Sequence, residues 1–254
     1  MRHHIIPLLT LLLLWHPASQ LQAQYLTVNI DTLQVRFLLV PAHSTAIGST
    51  LGDTDEEPVH DVSLDSFYIM QYEVTQELWQ ALMGDDPVAQ SWNDEVGCGA
   101  QMPAYGVNHF DALRFAEAFA QHSGLDAQLP TEAQWESAAR GAKPVGWPTR
   151  SEAWYDENSG GHVHPVGSCD AGRNGLYDMA GNVMEWCTDW YGAYPSKPQH
   201  NPEGHGTVSF RVCRGGSWAT GRKLCLPTDR YAVYPYNRYE YIGLRLVIRL
   251  PHRP

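Results

Sequence analysis

Apolar and polar positions alternate loosely from Val28 to Val40 and again through much of Asp61–Val74, a period of two that predicts strands. The period then changes. Thr75 is placed to cap a short helix that carries Leu78, Trp79, Leu82 and Met83 and stops at Gly84. Asn108 with Asp111 three residues on has the form of a capping box, and Ala112, Phe115, Ala116, Phe119 and Ala120 continue one apolar face until Gly124. Thr131 with Gln134 opens a third helix through Trp135, Ala138 and Ala139 to Gly141. Between Lys143 and Thr207 the periodicity fades into a stretch dense in Gly, Pro, Asn and Asp, with irregularly spaced aromatics. Such a stretch inside a domain calls for an organising metal, disulfide or ligand site. Arg211–Trp218 and Tyr241–Ile248 read as closing strands around an aromatic, Arg-containing loop. The expected architecture is a single irregular α+β domain rich in ordered loop.

The N-terminal segment has a different character. Arg2, His3 and His4 precede an apolar run from Ile5 to Trp15, and Leu21-Gln22-Ala23 offers a small-residue cleavage site. That is the pattern of a secretory signal, and the run is well short of the roughly 20 apolar residues of a membrane span. Residues 1–23 are therefore expected to be a signal peptide, 24–36 a lead-in strand region and 37–250 the main domain. The mature chain is expected to be exported, periplasmic or secreted, with no membrane span once the signal is removed. A formal net charge of -11 repels phosphate backbones and anionic lipid surfaces, which argues against nucleic-acid and membrane-surface partners.

Five cysteines, Cys98, Cys169, Cys187, Cys213 and Cys225, contain no CxxC pair, which argues against a zinc ribbon or a thioredoxin-like site. In an oxidising compartment one or two disulfides are expected, with connectivity open and at least one thiol left over. His162 and His164 could share a strand face, but no third metal ligand is evident. There is no Gly-x-Ser-x-Gly elbow and no phosphate-cradling glycine loop.

Four segments together resemble the formylglycine-generating enzyme, or sulfatase-modifying factor, family. They are Gln128-Leu-Pro-Thr-Glu-Ala-Gln-Trp-Glu-Ser-Ala-Ala-Arg-Gly141, Gly175-Leu-Tyr-Asp-Met-Ala-Gly-Asn-Val-Met-Glu-Trp186, Arg211-Val-Cys-Arg-Gly-Gly-Ser-Trp218 and Gly243-Leu-Arg-Leu-Val247. They occur in the family's order, and the likeness runs from about Phe37 to Val247. It implies a C-type-lectin-like fold. It also implies a calcium site with Asp178 and Glu185 as side-chain ligands and Gly181 and Val183 as carbonyl ligands, a set of hard oxygens that suits Ca²⁺. Asn158 lies where a second family calcium site begins, but the residues that should follow it are missing.

The family's catalytic members hold Cu(I) between two cysteines separated by four residues. Here the second position is Cys225 and the first is Thr220, and a protonated hydroxyl is a poor ligand for a soft ion. Cys213 lies in the preceding strand and is a poor substitute. Cu(I) binding is therefore not expected, and Cys225 is the catalytic candidate only if activity survives. Packing is the simpler role for it, while Arg230 and Arg238 could fix loop carbonyls or carboxylates. Tyr231, Tyr234, Tyr236, Tyr239 and Tyr241 crowd the same loop, and stiff, broad tyrosine rings suit a contact surface. With Ser217 and Thr220, the tyrosines at 231, 234, 236 and 239 are the candidate binding residues; the competing reading is that the rings pack over an irregular core. Two functions follow. One is an exported, calcium-stabilised binding or structural module without catalysis, its partner an exported protein or a glycan. The other is an oxidoreductase of the formylglycine-generating type, oxidising a cysteine in a sulfatase or another exported protein.

Overall fold

The alternating stretch from Val28 to Val40 is a hairpin rather than one strand. Its buried positions change parity, from Val28 and Ile30 to Val35 and Phe37, and Asp31 makes the turn at a left-handed φ of 51°. The computed structural model that shows this describes residues 25–141, 146–172, 174–204 and 209–250. β1 (Tyr25–Ile30) pairs antiparallel with β2 (Leu33–Val40), Val28 opposite Val35. β3 (His43–Ile47) follows.

The stretch Asp61–Val74 divides as well, into β4 (His60–Leu64) and β5 (Phe67–Met70), which belong to different sheets. The break falls at Asp65 and Ser66, where side chains intercept the backbone: Ser66 Oγ accepts the Ala42 N–H at 2.8 Å and Asn201 Oδ1 accepts the Asp65 N–H at 2.9 Å. Neither residue is a glycine or proline, so nothing in the local sequence announced it.

All three expected helices form, with the expected caps. Thr75 Oγ1 accepts the Leu78 N–H at the start of α1 (Gln76–Met83), which ends at Gly84. Asn108 and Asp111 exchange capping bonds of 2.9 and 3.1 Å at the head of α2 (His109–Ser123), and Gly124 closes it in the left-handed region. Thr131 and Gln134 do the same for α3 (Glu132–Arg140).

The remaining strands are short. They are β6 (Ala127–Gln128), β7 (Met184–Trp190), β8 (Gln199–His200), β9 (Arg211–Arg214), β10 (Arg230–Val233), β11 (Ile242–Gly243) and β12 (Val247–Arg249). They complete a five-stranded sheet β1-β2-β5-β12-β6, a four-stranded sheet β10-β9-β7-β11 and a three-stranded sheet β3-β4-β8. Both expected closing strands are thus shorter than their patterns. Arg211–Trp218 stops at Arg214 because Gly215 and Gly216 turn at φ 97° and 69°. Tyr241–Ile248 is cut into β11, parallel to β7, and β12, antiparallel to β5 and β6.

Among the described residues two large apolar clusters, with a small third around Ala153, Tyr155 and Cys225, form the core. In one, Trp79 stacks on Phe115 at 5.0 Å and Phe37 meets Phe119 edge-on at 5.7 Å, joining α1 and α2 to the five-stranded sheet. The other gathers Trp135 of α3, Ile69 of β5 and Val212 of β9. The residues before Phe37 belong to this architecture, since Leu26, Val28, Ile30 and Val35 are buried in the first cluster. All five cysteines are unpaired, which corrects the expectation of a disulfide. Cys213, Cys187 and Cys225 sit in three different apolar clusters, Cys169 is buried and Cys98 is exposed.

Candidate functional site

Strand β9 delivers the chain to the site. Arg214 at its end is fully buried, paired with Glu136 of α3, and donates to the carbonyls of Thr228 and Asp229 at 2.6 Å each. One guanidinium therefore pins both ends of the loop between β9 and β10. Within the turn that follows, a Cβ at Gly216 would collide with the Cys225 sulfur and one at Gly215 would press on the Trp135 ring. The two glycines are what let the chain pass between them.

The hydroxyls of Ser217 and Thr220 form a buried hydrogen bond of 2.7 Å. Cys225 does not join them. Its thiol reaches toward the Gly221 carbonyl at 3.8 Å, packs with Ala153 and Tyr155, and borders a cavity with Met179, Leu176 and Asp178. Burial, reinforced by the Asp229 carboxyl and only partly offset by the Ser217 backbone N–H, pushes the thiol up to about 12, so Cys225 carries no appreciable thiolate at neutral pH. Cys213 lies in the first core cluster, fully buried, and burial raises its thiol well above the ordinary range.

Four of the five tyrosines converge with Ser217 and Thr220. A groove of about 620 Å³ runs along β10 and is lined by Ser217, Thr220, Tyr231, Tyr234, Tyr239 and Tyr241. Tyr239 and Tyr241 stack at 5.1 Å, Tyr234 leans on Phe210 at 4.2 Å, and Tyr231 donates its hydroxyl to the Leu224 carbonyl. Tyr236 is outside the groove, 74% exposed, and covers Phe110 of α2 at 4.9 Å. Sequence reasoning passed over Phe210 and Met184, which also line the groove. Arg230 holds both Glu132 oxygens at 2.7 and 2.9 Å and the carbonyls of Asp55 and Gly192, and Arg238 pairs with Asp111 at 2.7 Å. These two arginines fix the strand and the loop beside the groove.

The acidic segment is a second centre. Asp178 accepts the Gly167 N–H at 2.6 Å. Glu185 of β7 takes Arg245 Nε at 2.6 Å, Arg245 Nη2 at 2.7 Å and Trp135 Nε1 at 2.6 Å, so both its oxygens are engaged. Arg245 also donates to the carbonyls of Met70 and Tyr177, tying two sheets and a turn together. Glu73, missed from sequence, accepts Asn182 Nδ2 at 2.6 Å and the Val183 N–H at 3.0 Å. Burial pushes Asp178 up to about 6 against the opposing pull of the Gly167 N–H and Arg245. Burial and the charges of Asp178 and Glu185 hold Glu73 well above the usual carboxylate range.

Among the described residues no group of three or more His, Cys, Asp or Glu side chains is arranged to hold a metal ion. Asn158 caps its own turn instead, accepting the Tyr155 N–H at 2.7 Å and donating to the Ala153 carbonyl at 2.9 Å. His162 and His164 lie with ring centroids 4.5 Å apart, and His164 stacks on Trp154 at 3.7 Å.

Comparison with known proteins gives the family. The model of the sulfatase-modifying factor enzyme 1-like domain matches residues 30–250. The chain is 38% identical over 143 residues to the formylglycine-generating enzyme of Streptomyces coelicolor, covering 46% of this chain and 43% of that protein. It is 32% identical over 197 residues to the serine/threonine-protein kinase pkn1 of Chlamydia caviae, covering 67% of this chain and 31% of that one. The chain thus spans less than half the length of either relative. Among solved structures, Treponema denticola variable protein 1 superposes with a TM-score of 0.80 at 29% identity, covering 88% of this chain and 98% of that chain.

Proposed function

The chain belongs to the sulfatase-modifying factor enzyme 1-like domain family, and from that premise we propose that it is an exported binding module without the family's copper chemistry. The observation that carries the proposal is the Ser217–Thr220 hydroxyl pair, with Cys225 directed to a separate cavity. Two-coordinate Cu(I) is stabilised by paired thiolates, and these residues offer a hydroxyl already engaged with another hydroxyl and a buried, protonated thiol. The donor set does not fit the ion. What remains at the same place is a wide groove walled by tyrosines, which provide stiff, amphipathic contact area at low entropic cost. The partner is an exported protein or a glycan.

Export is supported by the pattern of residues 1–23, which lie outside the described residues; among the described residues no helix is long and apolar enough to cross a membrane. Calcium is kept in the segment 178–185, with the Asp178 carboxylate and the Gly181 and Val183 carbonyls as the donors that fit. Glu185 does not fit as a direct ligand, because Arg245 and Trp135 occupy it. The support is charge: three buried carboxyl groups, Glu73, Asp178 and Glu185, face one guanidinium. A divalent cation would offset that excess.

Competition titration with a Cu(I) chelator tests the proposal. The natural chain should bind Cu(I) weakly, and Thr220→Cys should gain affinity if the turn can bring Cys225 round to it. Tight binding by the natural chain, lost on Cys225→Ala or Cys213→Ala, would give the oxidoreductase reading instead.

A further inference from the structure

The tyrosine groove is bounded on one side by the end of a sheet. β10 is a terminal strand of the order β10-β9-β7-β11, paired with β9 through Tyr231 opposite Cys213 and Ala232 opposite Val212. Its residues Ala232 and Val233 line the groove, Ala232 is exposed, and on its outer side no further strand pairs with it among the described residues. In an antiparallel strand the residues that do not bond to one neighbour direct their N–H and C=O groups to the other side, which makes a free edge a template for a further strand.

Both ends of this edge carry exposed apolar side chains. Beyond Val233 the pair Tyr236 and Phe110 is 74% and 42% exposed, with Tyr234 beside it at 53%. At the other end Tyr231 leans on the turn that presents Leu224, 46% exposed, next to Arg222 and Lys223, both exposed. Among the described residues the groove is lined by no charged side chain, on a chain whose formal net charge is -11.

We propose that this face pairs with the same face of a second copy of the chain, β10 against β10 in antiparallel register across a twofold axis. The inference rests on the reading of the tyrosine face as a contact surface and names one partner for it. An antiparallel pair of identical strands is twofold symmetric, so the contact is isologous and closes at two copies. The symmetry sets the Arg222–Lys223–Leu224 corner of each copy against the Phe110–Tyr236 corner of the other, so that cations meet ring faces and Leu224 meets an aromatic pair. An acidic chain repels its own copy over most of its surface; a neutral face is where two copies approach at least electrostatic cost. Strand addition also covers the free backbone edge.

Sedimentation equilibrium of the full chain over a wide dilution series tests this. The chain should pass from monomer to dimer as concentration rises, and the dimer should tighten with added salt, which screens the repulsion between acidic copies. Tyr236→Glu should weaken the dimer by about tenfold or more, since it places a carboxylate in an aromatic contact. Ala232→Glu should do so independently, since it places a carboxylate on the exposed terminal strand. Because Tyr236 is largely exposed, an unchanged melting temperature in Tyr236→Glu separates lost association from lost folding. A chain that stays monomeric throughout overturns the pairing while leaving the contact-surface reading intact. An oligomer indifferent to both substitutions overturns it as well.

Discussion

Removing Glu185 should be among the most damaging single changes in this protein. The side chain is fully buried and holds Arg245, also fully buried, through two charge-assisted bonds of 2.6 and 2.7 Å, while taking the Trp135 indole N–H at 2.6 Å. Glu185→Ala strands a buried guanidinium, a loss of about 3–5 kcal/mol when one partner of a buried pair is deleted. It also orphans the indole N–H, worth about 1–3 kcal/mol. Two features reduce the total: Arg245 keeps the Met70 and Tyr177 carbonyls, and Asp178 stays beside it while Glu73, freed from the Glu185 charge, ionises more readily. The expected loss is about 4 kcal/mol, a fall of roughly 2 M in the urea midpoint at an unchanged slope. Arg245→Met should cost more, because it leaves three buried carboxyl groups without their cation. The losses in Glu185→Ala should be the same in calcium and in chelator, since Glu185 acts through Arg245. A loss below about 1 kcal/mol would refute the pair as the tie between the two sheets. A loss that vanishes when calcium is removed would make Glu185 a direct ligand.

Chelation itself should lower the melting temperature of the natural chain, because an ion bound only to the native state adds stability, and Asp178→Ala should abolish that sensitivity; equal melting with and without chelator would count against calcium. Tyr234→Ala and Tyr236→Ala should each change stability by about 0.5 kcal/mol or less, because both rings are mostly exposed, whereas loss of cooperative unfolding would show that they are core residues. Stability should fall as pH rises from about 4 to about 7, because burial, with the neighbouring charges of Glu56 on Asp229 and of Glu132 on Asp189, raises both carboxyls to about 7. In each the folded form binds the proton more tightly, so the stabilisation is complete below the unfolded value near 4 and gone once pH has passed about 7. Asp229→Asn with Asp189→Asn should flatten that slope, and a slope of opposite sign in denaturation midpoints would refute it.

Local signals were legible where the physics is local. The capping pairs Thr75 with Leu78, Asn108 with Asp111 and Thr131 with Gln134 fixed the helix starts within a few residues of chain, and Gly84 and Gly124 the ends. The hairpin at Asp31 was readable too, in the slip of parity between Ile30 and Val35, but only if the phase as well as the period is followed. The division of Asp61–Val74 between two sheets was not. It depends on Asn201, which is 136 positions from Asp65 in the chain. The candidate site divides in the same way. Ser217, Thr220 and the tyrosines lie close in sequence, and the fold brings them to one groove. Glu73 and Trp135 meet Glu185 and Arg245 only through long-range packing, and no spacing along the chain could place them there. Cys225 shows the reverse: only five positions from Thr220, beyond a short 3-10 turn at Arg222–Leu224, it borders a different cavity.

Oxygen consumption by the unmodified chain, supplied with Cu(I), a thiol reductant and a cysteine-bearing sulfatase peptide, bears most directly on the proposal that the chain lacks copper chemistry. With Thr220 bonded to Ser217 and the Cys225 thiol held protonated in another cavity, oxygen uptake should not exceed that of copper, reductant and peptide without the protein, and no more of the peptide cysteine should be converted to formylglycine than in that control. Copper-dependent conversion of that cysteine, faster than the protein-free control and abolished by Cys225→Ala, would contradict the account.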